Sequence, residues 1–157
     1  MSTVALRQVL VPTDFSECSG VALRYGLALA KRFGSTLHVL HAVPNPFDQP
    51  WAAEVYAIPQ AEFERLARDD AHQRLAALAA EHGLPADRLR TVATSGAPFL
   101  AILQYAREAG IDLIVMGTHG RGAVAHLLIG SVAENVVRKA PCPVLTVRHP
   151  EHEFVTP

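Results

Sequence analysis

The sequence has few of the features that mark secreted and membrane proteins. Only two cysteines occur among its 157 residues, Cys18 and Cys142, and they form neither a CxxC pair nor a metal-ligand pattern with histidine. Two isolated thiols are typical of a reduced compartment, where disulfides are rare. No apolar run approaches the roughly 18 residues of a membrane-spanning helix, and no signal-peptide pattern opens the sequence. We therefore expect a soluble cytoplasmic protein.

An excess of charge of one sign is also lacking. Lysine and arginine number 14 and aspartate and glutamate 15, which gives a formal net charge of −1. Such a balance offers no broad basic field for nucleic acid, so any anion site must be local. Apolar residues make up 50% of the chain and charged residues 18%, values typical of a folded domain. We expect one domain over residues 1–148 and a mixed, charged tail over 149–157.

Short apolar runs alternate with helical patterns along the chain. The predicted strands are residues 6–11, 36–42, 89–93, 112–116 and 144–147. Helical patterns separate them, with Ser16 as a predicted N-cap and Gly34 as a predicted stop for the first. In the last helical pattern we expect Val132, Val136 and Val137 to face the core.

This alternation predicts an α/β fold. Strands without apolar and polar alternation are buried on both sides, which favours an open parallel sheet with helices on both faces. Right-handed crossovers leave two leading flavodoxin-like strand orders, 2-1-3-4-5 and 3-2-1-4-5. We favour 3-2-1-4-5, which places the first strand beside the fourth.

A glycine-rich stretch after the fourth predicted strand is the strongest candidate site. Residues 117–131 have the spacing Gly-x2-Gly-x9-Gly-Ser and lead from a buried strand into a helical pattern. A strand, a glycine-rich turn and a helix N-terminus together present backbone N–H groups and the positive end of the helix dipole, which suits phosphate. A valine at Gly117 or Gly130 is expected to occupy the approach of that phosphate.

A purely structural interpretation of the same stretch stays open. Gly117 and Gly120 are then needed only for positive φ angles in a turn. Ser131 and Glu134 form a capping box at the start of the last helix in that interpretation.

The strand order brings a second loop next to the glycine-rich stretch. Ligands of such sheets bind beyond the carboxyl ends of the strands where the winding direction reverses, here between the first and fourth strands. Pro12, Thr13 and Asp14 follow the first strand. We expect a nucleotide with its phosphates on the glycine-rich stretch, a ribose hydroxyl on Asp14 and adenine near Ala42. Alternatively, Asp14 only accepts hydrogen bonds from nearby backbone N–H groups.

The motifs resemble those of the universal stress protein family. The resemblance is carried by VLVPTDFS at residues 9–16, MGTHG at 116–120, GSVAENV at 130–136 and PVL at 143–145. The Gly-x2-Gly-x9-Gly-Ser spacing is that family's ATP-binding signature, so the resemblance implies the ATP-binding branch. It also implies an adenine nucleotide alpha-hydrolase-like fold. Residues 43–59 are the part without a match.

The resemblance implies a role for each matching position. Asp14 would contact the ribose, and Pro12, Thr13 and Ala42 would border the adenine. The residues implied for the ribose and phosphates are Met116, Gly117, Gly120, Arg121, Gly130, Ser131 and Val132. Among these, Arg121 would add a charge-assisted contact to the outer phosphates, unless it is a mobile surface arginine.

The resemblance also implies a homodimer formed through the last strand. The interface residues would be Val144, Leu145, Thr146 and Val147. The sequence supports this independently, because an apolar edge strand is left unprotected in a monomer.

Two enzyme classes compete with a nucleotide-binding module. Residues 120–125 match the dinucleotide fingerprint G-x-G-x-x-A, but they follow the fourth strand instead of opening the first βα unit. No Gly-Lys-Ser/Thr follows the glycines, and without that lysine fast phosphoryl transfer has little to stabilise its transition state. We therefore expect an ATP-binding stress or regulatory module with at most slow hydrolysis, Mg2+ bridging the phosphates. The alternatives are an NAD-dependent enzyme and an interaction protein without nucleotide.

Two segments lie outside these patterns. Residues 43–59 hold four prolines and Trp51, and we interpret them as a surface insertion instead of a functional flap. His149, Glu151, His152 and Glu153 of the tail offer metal-ligand atoms. We interpret that tail as a solvated terminus and not as a metal site.

Overall fold

The computed structural model describes residues 5–45, 59–119 and 129–148. Gly120 and Arg121 of the predicted site lie outside the described residues, as do Trp51 and the tail. Within the described ranges, no helix is both long enough and apolar enough to cross a membrane.

Strands and helices alternate throughout the described ranges. The strands are β1 (Gln8–Pro12), β2 (Thr36–Val43), β3 (Leu89–Ser95), β4 (Leu113–Gly117) and β5 (Val144–Val147). The helices are α1 (Glu17–Phe33), α2 (Gln60–His82), α3 (Pro98–Glu108) and α4 (Ser131–Lys139), and a 3-10 turn, Ala86–Arg88, precedes β3.

The five strands form one parallel sheet in the order β3-β2-β1-β4-β5. In the central strand, Val9 pairs with Leu37 of β2 on one side and with Leu113 of β4 on the other. This confirms the predicted order 3-2-1-4-5. The winding direction reverses between β1 and β4, so a crevice is expected beyond the carboxyl ends of these two strands.

The side chains of β1 divide the core between the two faces of the sheet. Val9 and Val11 pack in one buried cluster with Val21 and Leu27 of α1 and Leu75 of α2. Leu10 belongs to a second cluster with Ile102 of α3, Ile114 of β4 and Val136 of α4. Because both faces are covered by helices, the strands carry apolar residues at successive positions, as predicted.

The ends of α1 follow the sequence signals, but the start of α4 does not. Ser16 caps α1 by accepting a hydrogen bond from the Ser19 N–H, and the helix ends at Gly34, which has a φ of 70°. In α4 the N-cap is Gly130, so Ser131 is already helical and the predicted capping box with Glu134 is wrong. Val137 is 47% exposed, and Ala133 is buried beside Val136 instead.

Polar groups at the amino end of the sheet are bonded within the protein. His38 on β2 is 1% exposed; its Nε2 lies 2.7 Å from Gln8 Oε1, and its Nδ1 lies 2.7 Å from the Tyr105 hydroxyl. Since the Gln8 oxygen only accepts, Nε2 carries the proton and Nδ1 accepts from Tyr105. Burial, aided by the positive charge of Arg90, lowers the pKa of His38 to about 4.

Asp112 continues this internal bonding before β4. Its Oδ2 accepts hydrogen bonds from the backbone N–H groups of Arg7 and Gln8, both at 2.8 Å. The first donors of the central strand are therefore paired by a side chain 104 or more residues away in the sequence. The amino end of the sheet is thus closed by its own polar groups.

Candidate functional site

A cavity of about 510 Å³ opens at the carboxyl ends of β1, β2 and β4, beside the first turn of α4. Its volume falls in the range of roughly 300–1,000 Å³ that is common for small-molecule sites. It brings together every predicted nucleotide-binding residue within the described ranges: Pro12, Thr13, Asp14, Ala42, Met116, Gly117, Gly130, Ser131 and Val132. The predicted crevice and the observed cavity are therefore the same place.

The turn between β1 and α1 forms one wall of the cavity. The Thr13 N–H donates to the Leu40 carbonyl at 2.8 Å, which holds the turn against β2. Asp14 Oδ1 accepts from the Ser16 N–H at 3.0 Å and from the Ser16 hydroxyl at 2.5 Å. The local role that the sequence left open for Asp14 is thus present, in a side chain that also lines the cavity.

The first turn of α4 supplies backbone donors to the cavity. The Glu134 N–H makes the first intrahelical bond, to the Gly130 carbonyl at 2.9 Å. The amides of Ser131, Val132 and Ala133 come before it and have no acceptor inside the helix. All three residues line the cavity, and the positive end of the α4 dipole points the same way. This end of the cavity favours an anion.

Gly130 joins the two ends of the glycine-rich stretch. Its N–H donates to the Thr118 carbonyl at 2.6 Å. A Cβ at this position would lie 3.1 Å from the same carbonyl oxygen, closer than side chains normally approach. A side chain at position 130 would therefore push against the Thr118 carbonyl, and the backbone hydrogen bond holds the start of α4 next to the end of β4.

The predicted reason for a glycine at position 117 is wrong. A Cβ on Gly117 would lie 2.6 Å from the Cys18 Sγ and 3.1 Å from the Cys18 carbonyl oxygen, so it would strike α1. Positive φ is not the reason either, because the described glycines with positive φ are Gly34, Gly83, Gly96 and Gly110. Gly117 borders the cavity, but its bare backbone serves the packing of α1 on β4.

Apolar side chains line the part of the cavity that faces α3. They are Leu40, Ala42, Pro98, Ile102 and Met116. Ala42 and Met116 were predicted from the sequence, but Pro98 and Ile102 at the start of α3 were not. The Ser95-Gly96-Ala97-Pro98 turn gave a helix start, but nothing in it indicated that the helix borders a ligand site.

Polar residues that the sequence did not indicate line the opposite side, near α2. His41 Nδ1 lies 2.7 Å from the Thr13 carbonyl, so this nitrogen carries a proton. The His41 and Phe15 ring centroids are 4.5 Å apart, and the Arg74 guanidinium lies 4.0 Å above the Phe15 ring. Both His41 and Arg74 line the cavity. No sequence signal distinguishes Arg74 from the other arginines of α2.

Thr118 and His119 continue the lining beyond β4. The Thr118 hydroxyl and His119 Nδ1 are 2.9 Å apart. Among the described residues, no group of three or more His, Cys, Asp or Glu side chains has the geometry to hold a metal ion.

The predicted dimer strand lies at one edge of the sheet. β5 pairs with β4, where Val144 and Leu145 align with Ile114 and Val115. Leu145 is 39% exposed, whereas Val147 is 8% exposed. An exposed leucine on an edge strand agrees with the features expected of an interface.

Known protein sequences resemble the chain over nearly its whole length. The sequence model of the universal stress protein family matches residues 5–148. The Thermus aquaticus protein named universal stress protein in QAH/OAS sulfhydrylase 3′ region is 38% identical over 145 residues, which are 90% of this chain and 98% of that protein.

Solved structures share the fold as well. The structure of protein MJ0577, a universal stress protein of Methanocaldococcus jannaschii, has a TM-score of 0.80 and 27% identity, covering 95% of this chain and 100% of that one. A universal stress protein solved in complex with cAMP has a TM-score of 0.59 and 27% identity, covering 90% of this chain and 96% of that one.

Proposed function

The chain belongs to the universal stress protein family, and from this we propose that it binds ATP in the cavity at the carboxyl ends of β1, β2 and β4. One observation carries the proposal: a single cavity joins an apolar side to a helix N-terminus whose first amides lack intrahelical acceptors. A ligand that is flat and apolar at one end and polyanionic at the other fits both. The cAMP complex of a related universal stress protein supports a nucleotide ligand.

The adenine lies on the apolar side, against Ala42, Ile102 and Met116. Pro12 and Thr13 border it from the β1 turn. Asp14 accepts a hydrogen bond from a ribose hydroxyl while its Oδ1 keeps the contact with Ser16. An ionised carboxylate has acceptor positions on two oxygens, so both contacts are compatible.

The phosphates lie on the first turn of α4. The N–H groups of Ser131, Val132 and Ala133 point to them, with Gly120 and Arg121 contributing as the family resemblance implies. Mg2+ would accompany the nucleotide and neutralise part of the phosphate charge, since Mg2+ in nucleotide sites is held largely by the phosphates and water and not by an all-protein cage.

The proposed role is that of a nucleotide-responsive regulatory module in the cytoplasm. The described lining of the cavity contains no lysine, so the charge that develops in fast phosphoryl transfer has little stabilisation. Hydrolysis is therefore slow at most, and the bound nucleotide acts by biasing shape or partner choice. The protein acts as a homodimer through β5, and light scattering of the purified protein tests whether it is a dimer.

The amide contacts are tested by a matched pair of substitutions at Ser131. Ser131→Pro removes one N–H donor, and proline is well tolerated at the first position of a helix. Gly130 has φ −75° and ψ 159°, an extended conformation that a following proline accepts. We expect calorimetry to show ATP binding weakened about tenfold. Ser131→Ala removes only the hydroxyl and should bind ATP as the wild type does.

The same calorimetry compares ATP, AMP and NAD, after nucleotide that co-purifies has been released and identified by mass. Binding of NAD without binding of ATP would favour the dinucleotide enzyme instead. Unchanged ATP affinity in Ser131→Pro would show that the phosphates do not bind at the first turn of α4. An equal loss in both Ser131 variants would assign the contact to the hydroxyl and contradict the backbone cradle.

A further inference from the structure

His41 and Arg74 line the α2 side of the cavity, and both contact the ring of Phe15; these three residues are here called the Phe15 wall. Phe15 has a φ of 62°, in the left-handed region that large side chains rarely adopt. Thr13 holds the wall from two directions: its hydroxyl accepts from the Phe15 N–H at 3.0 Å, and its carbonyl accepts from His41 at 2.7 Å. Such strain persists only where the surroundings enforce it, and it concentrates at ligand sites.

The Phe15 ring holds the charge of Arg74 at the cavity. The Arg74 Cζ atom lies 4.0 Å from the centre of the Phe15 ring, a cation–π contact, and Arg74 lines the cavity. The planar guanidinium fork of an arginine matches two oxygens of one phosphate, which a lysine ammonium does not.

The positive charge of Arg74 is weakly compensated within the protein. Its ion pair with Asp70 spans 3.9 Å, and the two side chains are 39% and 68% exposed. A long pair between solvated groups contributes little. Within the described ranges, no hydrogen bond from the guanidinium to another residue adds to it. Arg74 therefore brings a positive charge to the cavity that an anion can pair with.

The position of the Phe15 wall identifies the part of the ligand that it meets. Asp14 and Arg74 both line the cavity, and Asp14 directly precedes Phe15, whose ring contacts the Arg74 guanidinium. His41 and Ala42 are neighbours on β2 whose side chains point to opposite faces of the sheet. The apolar side thus takes the base, and the Phe15 wall is on the side where Asp14 meets the sugar.

We infer that Arg74 is a specificity-determining residue that favours an adenine nucleotide carrying a second phosphate on its ribose, at the 2′ or 3′ oxygen. The inference rests on the proposed nucleotide site. Asp14 accepts a hydrogen bond from the remaining ribose hydroxyl, and Arg74 binds the phosphate. In dinucleotide-binding sheets, an acid binds a ribose hydroxyl in NAD sites, and in NADP sites a nearby arginine accommodates the ribose 2′-phosphate.

The test compares three ligands by calorimetry in magnesium-free buffer: AMP, adenosine 2′,5′-bisphosphate and adenosine 3′,5′-bisphosphate. The wild type should bind one of the bisphosphates about ten- to a hundredfold more tightly than AMP, the range expected for charge-assisted hydrogen bonds. The preferred isomer identifies the oxygen that carries the phosphate. Arg74→Gln should abolish the preference and leave AMP affinity within about twofold.

Arg68→Gln is the matched control, because Arg68 is an exposed arginine of the same helix and the change in net charge is identical. It should retain the preference for the bisphosphate. Phe15→Leu keeps the charge of Arg74 but removes the ring beneath it, and it should reduce the preference without abolishing AMP binding. Melting temperatures verify that each variant is folded.

Two results would overturn the inference. One is equal affinity of the wild type for AMP and both bisphosphates. The other is an equal loss of the preference in Arg74→Gln and Arg68→Gln, which would assign it to net charge. A wild type that binds neither AMP nor ATP would instead overturn the proposed function, so the two failures are distinguishable.

Discussion

The polar groups at the two ends of the sheet differ in their hydrogen-bond partners. At the amino end, Asp112 pairs the first N–H groups of β1, and Gln8, His38 and Tyr105 bond to one another. At the carboxyl end, the first amides of α4 have no acceptor inside the helix, and the one ion pair that Arg74 makes with a described residue is the long pair with the solvated Asp70. Polar groups at the amino end are bonded to one another, whereas some of the polar groups at the carboxyl end line the cavity that we propose binds a nucleotide.

This contrast predicts that substitutions at the amino end change stability and that substitutions at the carboxyl end change binding. Gly117 is an exception, because it borders the cavity but packs against α1, so we expect its substitution to change stability.

Gly117→Val should reduce the free energy of unfolding by about 3 kcal/mol, because the new side chain has no space beside Cys18 and α1 must shift. Urea unfolding measures the loss. Gly20→Val is the control, since a Cβ on Gly20 meets no atom within 4 Å, and it should leave stability nearly unchanged. A folded, fully stable Gly117→Val would show that α1 is not packed as described.

The buried His38 should make stability depend on pH. Its pKa is lowered from 6.5 to about 4, so the unfolded chain binds a proton more readily between these values. The stabilisation is fully present above pH 6.5 and is lost as pH falls toward 4. The loss amounts to about 3 kcal/mol at most. We expect plots of the free energy of unfolding against pH for the wild type and His38→Gln to differ in slope across this range, by an amount equivalent to at most one proton taken up on unfolding. Equal slopes would contradict the assignment.

Asp112→Ala should cost about 1 to 2 kcal/mol of stability, because the Gln8 N–H is part-buried and loses its acceptor. ATP affinity should not change, since Asp112 is at the far end of the sheet from the cavity. Asp112→Asn keeps an acceptor oxygen and should lose less. Denaturant titration and calorimetry on the same samples test both statements, and weakened ATP binding in Asp112→Ala would break the division between the two ends.

Local signals made much of the fold predictable. The Ser16 cap and Gly34 stop fixed α1, and the buried apolar runs gave the sheet and its confirmed order. The boundaries of the strands were less predictable. The predicted third strand ended at residue 93, where the apolar run ends, but β3 continues to Ser95 because Ser95 pairs with Val43 of β2. Pairing partners lie outside the local sequence, so composition alone placed this strand's end too early.

The parts of the candidate site that the backbone forms could be predicted from the sequence. The parts that side chains from other elements form could not. Glycine spacing indicated where the chain must be bare, and Gly117 and Gly130 both line the cavity. The glycine spacing did not indicate which group lies next to each glycine. At Gly117, the group that a side chain would meet is Cys18. Arg74 comes from another helix, and its role depends on a contact with Phe15 that no spacing encodes.

The contact between Gly117 and Cys18 ties the choice of residue at the end of β4 to the position of α1. A Cβ at 117 would meet the Cys18 backbone as well as its thiol, so a smaller side chain at 18 would relieve only part of the overlap and α1 would still have to shift. Because the Cys18 thiol is buried against β4, the rate at which an alkylating reagent modifies it is a gauge of how often α1 lifts from the sheet.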